Sequence, residues 1–222
     1  MPVYSDNPPL CVVHMPKCGG TWVSSILRTH CAARELNGHQ WARDVTAAEL
    51  TGGVARRCEH CGHVPARKMI GLLRDPADWY ASLWAHALRR QPLRLAEIGG
   101  GSVNFADVLR VWTTPDALSC VRNPMAFVDT PAASGPGGLW SHAMRWWYAD
   151  ADGNWLSTWW LWAGRLRADL SELIGVALPV HSYPAENVGK YMVTWTDEMR
   201  AMVREADGDN YAERMATWTT QK

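Results

Sequence analysis

Apolar residues fall in short runs divided by polar, glycine-containing turns, and their spacing changes from run to run. Leu10 to Met15 (LCVVHM) is nearly continuous and too short for a helix, which predicts a strand buried on both faces. After it, Val23, Ile26 and Leu27 share one helical face. They predict a helix from Gly20 to about Leu36, stopped by Asn37-Gly38-His39. Lys68 to Leu73 (KMIGLL) predicts a second buried strand. Asp75 then supplies an N-cap and Pro76 a first helical residue, for a helix reaching about Arg90.

Further on, NFADVLRVW (residues 104–112) reads as a helix between two Gly/Pro/Ser-rich loops, at 97–102 and 129–138. Residues 139–155 are ambiguous apart from a turn at DADGN (150–154). Leu166, Leu170, Leu173 and Ile174 predict a helix over Trp162 to Gly175, and ALPVHSY (177–183) a strand. Thr196 precedes a last helix that ends at Asp207-Gly-Asp-Asn210. Strands alternating with helices predict an α/β fold with a central, mainly parallel sheet flanked by helices.

The length of 222 residues fits one domain, 1–222. Lysine plus arginine equal aspartate plus glutamate at 22 each, which excludes a global basic field for nucleic acid, so any anion site is local. No run of about 20 apolar residues predicts a membrane span. The first ten residues lack the basic-then-apolar order of a signal peptide. Six scattered cysteines read as reduced thiols of a cytoplasmic protein. Tryptophan is the outlier: of 14 residues, seven lie between Trp140 and Trp162. They read first as core or interface packing and second as an aromatic acceptor pocket in an insertion at about 99–161.

The chemistry begins at HMPKCGGTW (residues 14–22). A buried strand, a Gly-Gly turn and a helix place several backbone N–H groups at a helix N-terminus, where an anion binds. Lys17 adds a point charge and Thr21 a hydroxyl. LLRDP repeats the logic, with Arg74 at the end of a buried strand and Ser82 two turns along the next helix. An arginine fork suits a terminal phosphate. A nucleotide-hydrolysing loop ends in Gly-Lys-Ser/Thr, whose hydroxyl binds Mg²⁺. That ending is missing here.

Together the two motifs resemble the PAPS-dependent sulfotransferase superfamily (PAPS being 3′-phosphoadenosine 5′-phosphosulfate). HMPKCGGTWV is similar to the 5′-phosphosulfate loop of carbohydrate sulfotransferases, His-x-Pro-Lys-Thr-Gly-Gly-Thr. LLRDPADWYAS is similar to the 3′-phosphate element, Arg-Asp-Pro followed by Ser. The resemblance implies a P-loop-like three-layer fold and no metal. It implies a cofactor site of Pro16, Lys17, Cys18, Gly19, Gly20, Thr21, Trp22, Arg74 and Ser82. GRLRADLSELIG, ENVGKY and ADGDNYAERM match more loosely, and the second of these adds Lys190. Cys18 stands where Thr is common, and Trp22 where a small residue is common.

Sulfuryl transfer to a hydroxyl or amine needs a base, and histidine is best poised near neutral pH. His14 lies in the buried strand, so packing explains it. His63, in Gly62-His63-Val64-Pro65 ahead of the strand that delivers Arg74, occupies the place of the family's catalytic histidine. His86 is the alternative, sharing a helical face with Trp79 and Ser82, and His39 is third. Cys58, His60, Cys61 and His63 also form C-x-H-C-x-H, a zinc-type spacing without a second ligand pair. Two functions therefore stand at this point. One is a sulfotransferase acting on a small-molecule or glycan acceptor, with His63 as base and Lys17 as charge stabiliser. The other is a non-catalytic zinc- or nucleotide-binding module built on Cys58 and Cys61. Neither requires nucleic acid or a membrane.

Overall fold

The computed structural model describes residues 3–35, 68–126, 136–149, 152–157, 159–178 and 193–221. The chain divides into two compact units. The first comprises 1–74, 144–186 and 217–222, and the second 75–143 and 187–216.

Among the described residues, the first unit holds a five-stranded sheet. Strands β1 (Val3–Asp6) and β2 (Pro9–Val12) form an antiparallel hairpin. Helix α1 (Gly20–Cys31) follows, and β3 (Arg34–Glu35) pairs antiparallel with β1. Strand β4 (Lys68–Leu73) lies parallel to β2, with Cys11 opposite Met69. Strand β5 (Trp159–Trp162) lies parallel to β4, with Gly71 opposite Trp160. The order is β3-β1-β2-β4-β5, so the α/β expectation holds with three parallel strands, β2, β4 and β5, and two antiparallel strands at one side.

The centre of this sheet is sealed by two aromatic residues. The indole of Trp160 lies where a side chain on Gly71 would be, so only glycine lets β5 close on β4 there. The Tyr148 hydroxyl accepts from the backbone N–H groups of Met15 (2.8 Å) and Leu72 (3.1 Å) and donates to the Leu72 carbonyl (3.1 Å). Buried backbone groups must be paired, and Tyr148 does this where β2 gives way to the following turn. Burial pushes its phenol well above the ordinary value, so it stays a neutral donor and acceptor.

The second unit contains α2 (Pro76–Arg90), α3 (Pro92–Ile98), α4 (Phe105–Thr113), α5 (Pro115–Ser119), the first half of α6 (Leu139–Tyr148) and most of α8 (Asp197–Thr220). Between β5 and α8, a short 3₁₀ turn (Ala163–Arg165) and α7 (Leu166–Ile174) belong to the first unit. Tyr80 stacks on Trp112 at 5.9 Å, and Trp79, Leu83, Val108 and Leu109 are fully buried around them. The packing reading of tryptophan accounts for Trp140, Trp147 and Trp160, all 3% exposed or less.

Four expectations are corrected. Helix α1 ends at Cys31, where Ala32 takes a left-handed conformation and its N–H caps the Leu27 carbonyl. The helix expected from Trp162 begins only at Leu166, because Trp162 ends β5 and Ala163–Arg165 form a 3₁₀ turn. Ala177 and Leu178 form no strand, and residues 179–183 of that expectation lie outside the described ones. Helix α8 runs through DGDN to Thr220, because Asp207 and Asn210 are engaged by groups at the start of α6. Thr196 does cap α8, its hydroxyl accepting from the Met199 N–H at 3.2 Å.

Candidate functional site

The site is the turn between β2 and α1. The pairing of β2 with β4 continues to Val13, whose N–H donates to the Ile70 carbonyl (3.0 Å). The chain then folds back, the Cys18 N–H reaching the Met15 carbonyl at 3.4 Å. Two residues of the turn have positive φ: Lys17 at 71° and Gly19 at 90°. Turns of this kind direct successive backbone N–H groups into an anion-binding concavity. Left-handed backbone is natural for Gly19 but costs a lysine of order 1 kcal/mol. A cation holds the costly residue in place: Arg74 Nη1 donates to the Lys17 carbonyl at 2.7 Å. The structure thus brings together the two residues that the sequence placed in separate phosphate motifs.

Glycine is required at 19 by its left-handed backbone, a Cβ there also lying 2.8 Å from Leu166 Cδ2, and at 20 by contact, since a Cβ would lie 2.2 Å from the His14 ring carbons Cγ and Cδ2. His14 is therefore a packing residue of the loop. Overpacking of this kind costs about 2 kcal/mol. Gly20→Ala is accordingly expected to lower the melting temperature by several degrees. A melting curve superimposable on wild type would contradict this contact.

Helix α1 has no side-chain cap and no acidic residue in its first turn. The N–H groups of its first residues have no carbonyl one turn back, and the helix dipole favours an anion there. Helix α2 differs: the Asp75 carboxylate accepts from Ala77 N (2.9 Å) and Asp78 N (3.2 Å) and so already occupies its N-terminus. The LLRDP motif therefore contributes Arg74 itself and no helix-end site. Cys18 is fully buried, and burial pushes its thiol up to about 12 against the opposing pull of Arg74. It is neutral and packs below the turn. Thr21 is exposed, while Pro16, Lys17 and Trp22 are half-buried.

Ser82 and His86 are half-buried on α2, in the second unit. His63, His39, Lys190 and the Cys58, His60 and Cys61 cluster lie outside the described residues. Among the described residues there is no group of three metal-binding side chains, and no helix is long and apolar enough to cross a membrane.

Sequence reasoning missed the neighbours of the turn from α7: Leu166 against Gly19, and Arg167, whose guanidinium lies over the Trp22 ring, 5.4 Å from its centroid. The unusual tryptophan at position 22 was the available signal. Comparison of the chain with protein-family models, with curated proteins and with solved structures finds no match.

Proposed function

We propose that the protein is a PAPS-dependent sulfotransferase with a P-loop-like core, moving the sulfuryl group to a hydroxyl or amine of a small-molecule or glycan acceptor. The observation that carries this reading is the uncapped N-terminus of α1 behind a turn whose left-handed Lys17 is fixed by Arg74. PAPS supplies the activated sulfuryl group. Lys17 and the N–H groups of the turn offset the charge that develops on the bridging phosphate oxygen, in the manner of preorganised electrostatic sites. A guanidinium has five N–H donors. Arg74 gives one to the Lys17 carbonyl, and its role for the 3′-phosphate, shared with Ser82, follows from the family resemblance.

His63, with His86 as the alternative, takes the proton of the acceptor as its oxygen or nitrogen bonds to sulfur. The bond from sulfur to the bridging oxygen breaks, and 3′-phosphoadenosine 5′-phosphate leaves. Incubation with PAPS and an acceptor panel tests the reaction by mass spectrometry. The expected product is an acceptor heavier by one sulfuryl group. His63→Ala is expected to lower turnover about 100-fold, the usual contribution of a general base, with binding of 3′-phosphoadenosine 5′-phosphate retained. Full activity in that variant together with loss in His86→Ala would move the base to His86. Tight Mg²⁺·ATP binding with no response to 3′-phosphoadenosine 5′-phosphate would overturn the reading.

A further inference from the structure

We infer that Trp218, acting through Asp169, is a positioning residue for the donor turn. The inference rests on the sulfotransferase reading and adds a residue that the motifs do not contain.

In open α/β sheets, ligands bind outside the carboxyl ends of the parallel strands. Here those ends lead into the glycine turn after β2, into Arg74 after β4, and into Trp162, which closes β5 opposite Leu73. The Trp162 N–H donates to Asp169 Oδ2 at 3.1 Å, and the Trp218 indole N–H donates to the same oxygen at 2.9 Å. Asp169 is buried, with its Oδ1 3.9 Å from Arg165 Nε. The Trp218 ring meets Trp162 edge-on, 5.3 Å between centroids, and the Arg165 guanidinium lies 5.7 Å from its centre. Just beyond, Gln221 Oε1 accepts from Trp160 N at 3.0 Å. The last turn of α8 thus grips β5, the 3₁₀ turn and the first turn of α7 at once, all within the first unit.

Asp169 is the fourth residue of α7 and Leu166 the first, so a single helical turn joins them. Leu166 bears on the donor turn, its Cδ2 lying 2.8 Å from where a Cβ on Gly19 would be. Lys17 and Gly19 are both left-handed, and a lysine holds that conformation only where its surroundings impose it. Arg74 holds the Lys17 carbonyl at 2.7 Å, and Leu166 backs the turn at Gly19. Phenylalanine at 218 would fill the place of the indole without donating. The buried Asp169 oxygen would then lose one of these two donors, and the first turn of α7 would hold Leu166 on Gly19 less firmly.

Calorimetric titration with two nucleotides, well below the melting temperature, tests the assignment. Adenosine 5′-phosphosulfate carries the phosphosulfate without the 3′-phosphate, and 3′-phosphoadenosine 5′-phosphate carries both phosphates without the sulfate. Both place a 5′ anion at the turn. Trp218→Phe is expected to weaken both about fivefold, the scale of coupling from a residue that touches no ligand. A purely structural tryptophan would lower the melting temperature and leave these affinities unchanged. Asp169→Leu is expected to cost about the same factor, and the double variant no more than either, because both act through one contact. Asp169→Asn keeps an oxygen for both donors and is expected to lose less. Leu166→Ala leaves the Asp169 bonds in place and removes only the contact with Gly19. It is expected to weaken both nucleotides as well, and serves if the other variants unfold. Wild-type affinity in Trp218→Phe or Leu166→Ala, alongside weakened binding in Lys17→Ala, overturns the inference and leaves the sulfotransferase reading standing. Absence of binding of either nucleotide to the wild-type protein overturns both.

Discussion

Arg74→Ala is expected to raise the dissociation constant for 3′-phosphoadenosine 5′-phosphate about 10³-fold in calorimetric titration. Truncating one partner of a hydrogen-bonded charge pair costs about 4 kcal/mol when the other charge is left in place, which is a factor of that size. Two losses combine here. The 3′-phosphate loses its expected arginine fork. The turn also loses the donor that fixes the Lys17 carbonyl at 2.7 Å and holds a lysine at a φ of 71°. The second loss acts on the phosphosulfate end as well, so adenosine 5′-phosphosulfate is also expected to bind more weakly, by a smaller factor. Arg74→Lys restores charge without the planar fork and is expected to recover only part of the affinity. Equal losses for the two nucleotides would confine Arg74 to positioning the turn, and unchanged binding of both would remove it from the site.

Much of the turn is legible in sequence because its determinants are local. A Gly-Gly pair after a buried strand, a following amphipathic face with Val23, Ile26 and Leu27, and an Asp75-Pro76 helix start each act within a few residues, and β4 and α2 occur where these signals put them. What is not legible depends on partners far along the chain. Trp159–Trp162 is a four-residue apolar run that helical and strand periodicities fit equally well. Its choice of strand is made by β4, whose Gly71 leaves the space that Trp160 fills. The Arg74 bond to a backbone carbonyl is likewise invisible, since any residue at 17 would present the same oxygen. Arg167 has the composition of an ordinary exposed helix residue, and only its place over Trp22 distinguishes it.

The DGDN segment shows the same override at its strongest, and it carries the largest expected effect on stability. Asp207→Ala is expected to destabilise the protein by about 4 kcal/mol, lowering the melting temperature by about 10 °C. Asp207 is 1% exposed. Its Oδ1 accepts from Gly138 N (3.0 Å), Ser141 N (3.1 Å) and Ser141 Oγ (2.6 Å), and its Oδ2 from the Tyr80 hydroxyl (2.7 Å). Tyr80 in turn accepts from Trp140 N at 3.1 Å. These are the N–H groups that open α6, and the residue before that helix, Gly138, has no side chain with which to cap them. A Cβ at Gly138 would lie 2.7 Å from both Asp207 Oδ2 and the Tyr80 oxygen, so glycine admits a cap supplied from α8. Alanine at 207 would strand several buried donors at once.

Asp207→Asn keeps one acceptor oxygen but turns an NH₂ toward donors, and a loss of about 2 kcal/mol is expected. Burial pushes the Asp207 carboxyl above its ordinary value, against the pull of its hydrogen bonds from Ser141, Tyr80 and Gly138. The folded protein therefore holds this proton more tightly than the unfolded chain. The contribution is fully present below the ordinary carboxylate value of about 4 and is lost as pH rises through the folded value. The stability advantage of wild type over Asp207→Asn is accordingly expected to shrink as pH rises from about 4, measured by denaturant unfolding at a series of pH values. An advantage that grows over that range would mean that the four donors outweigh burial and hold the carboxylate ionised.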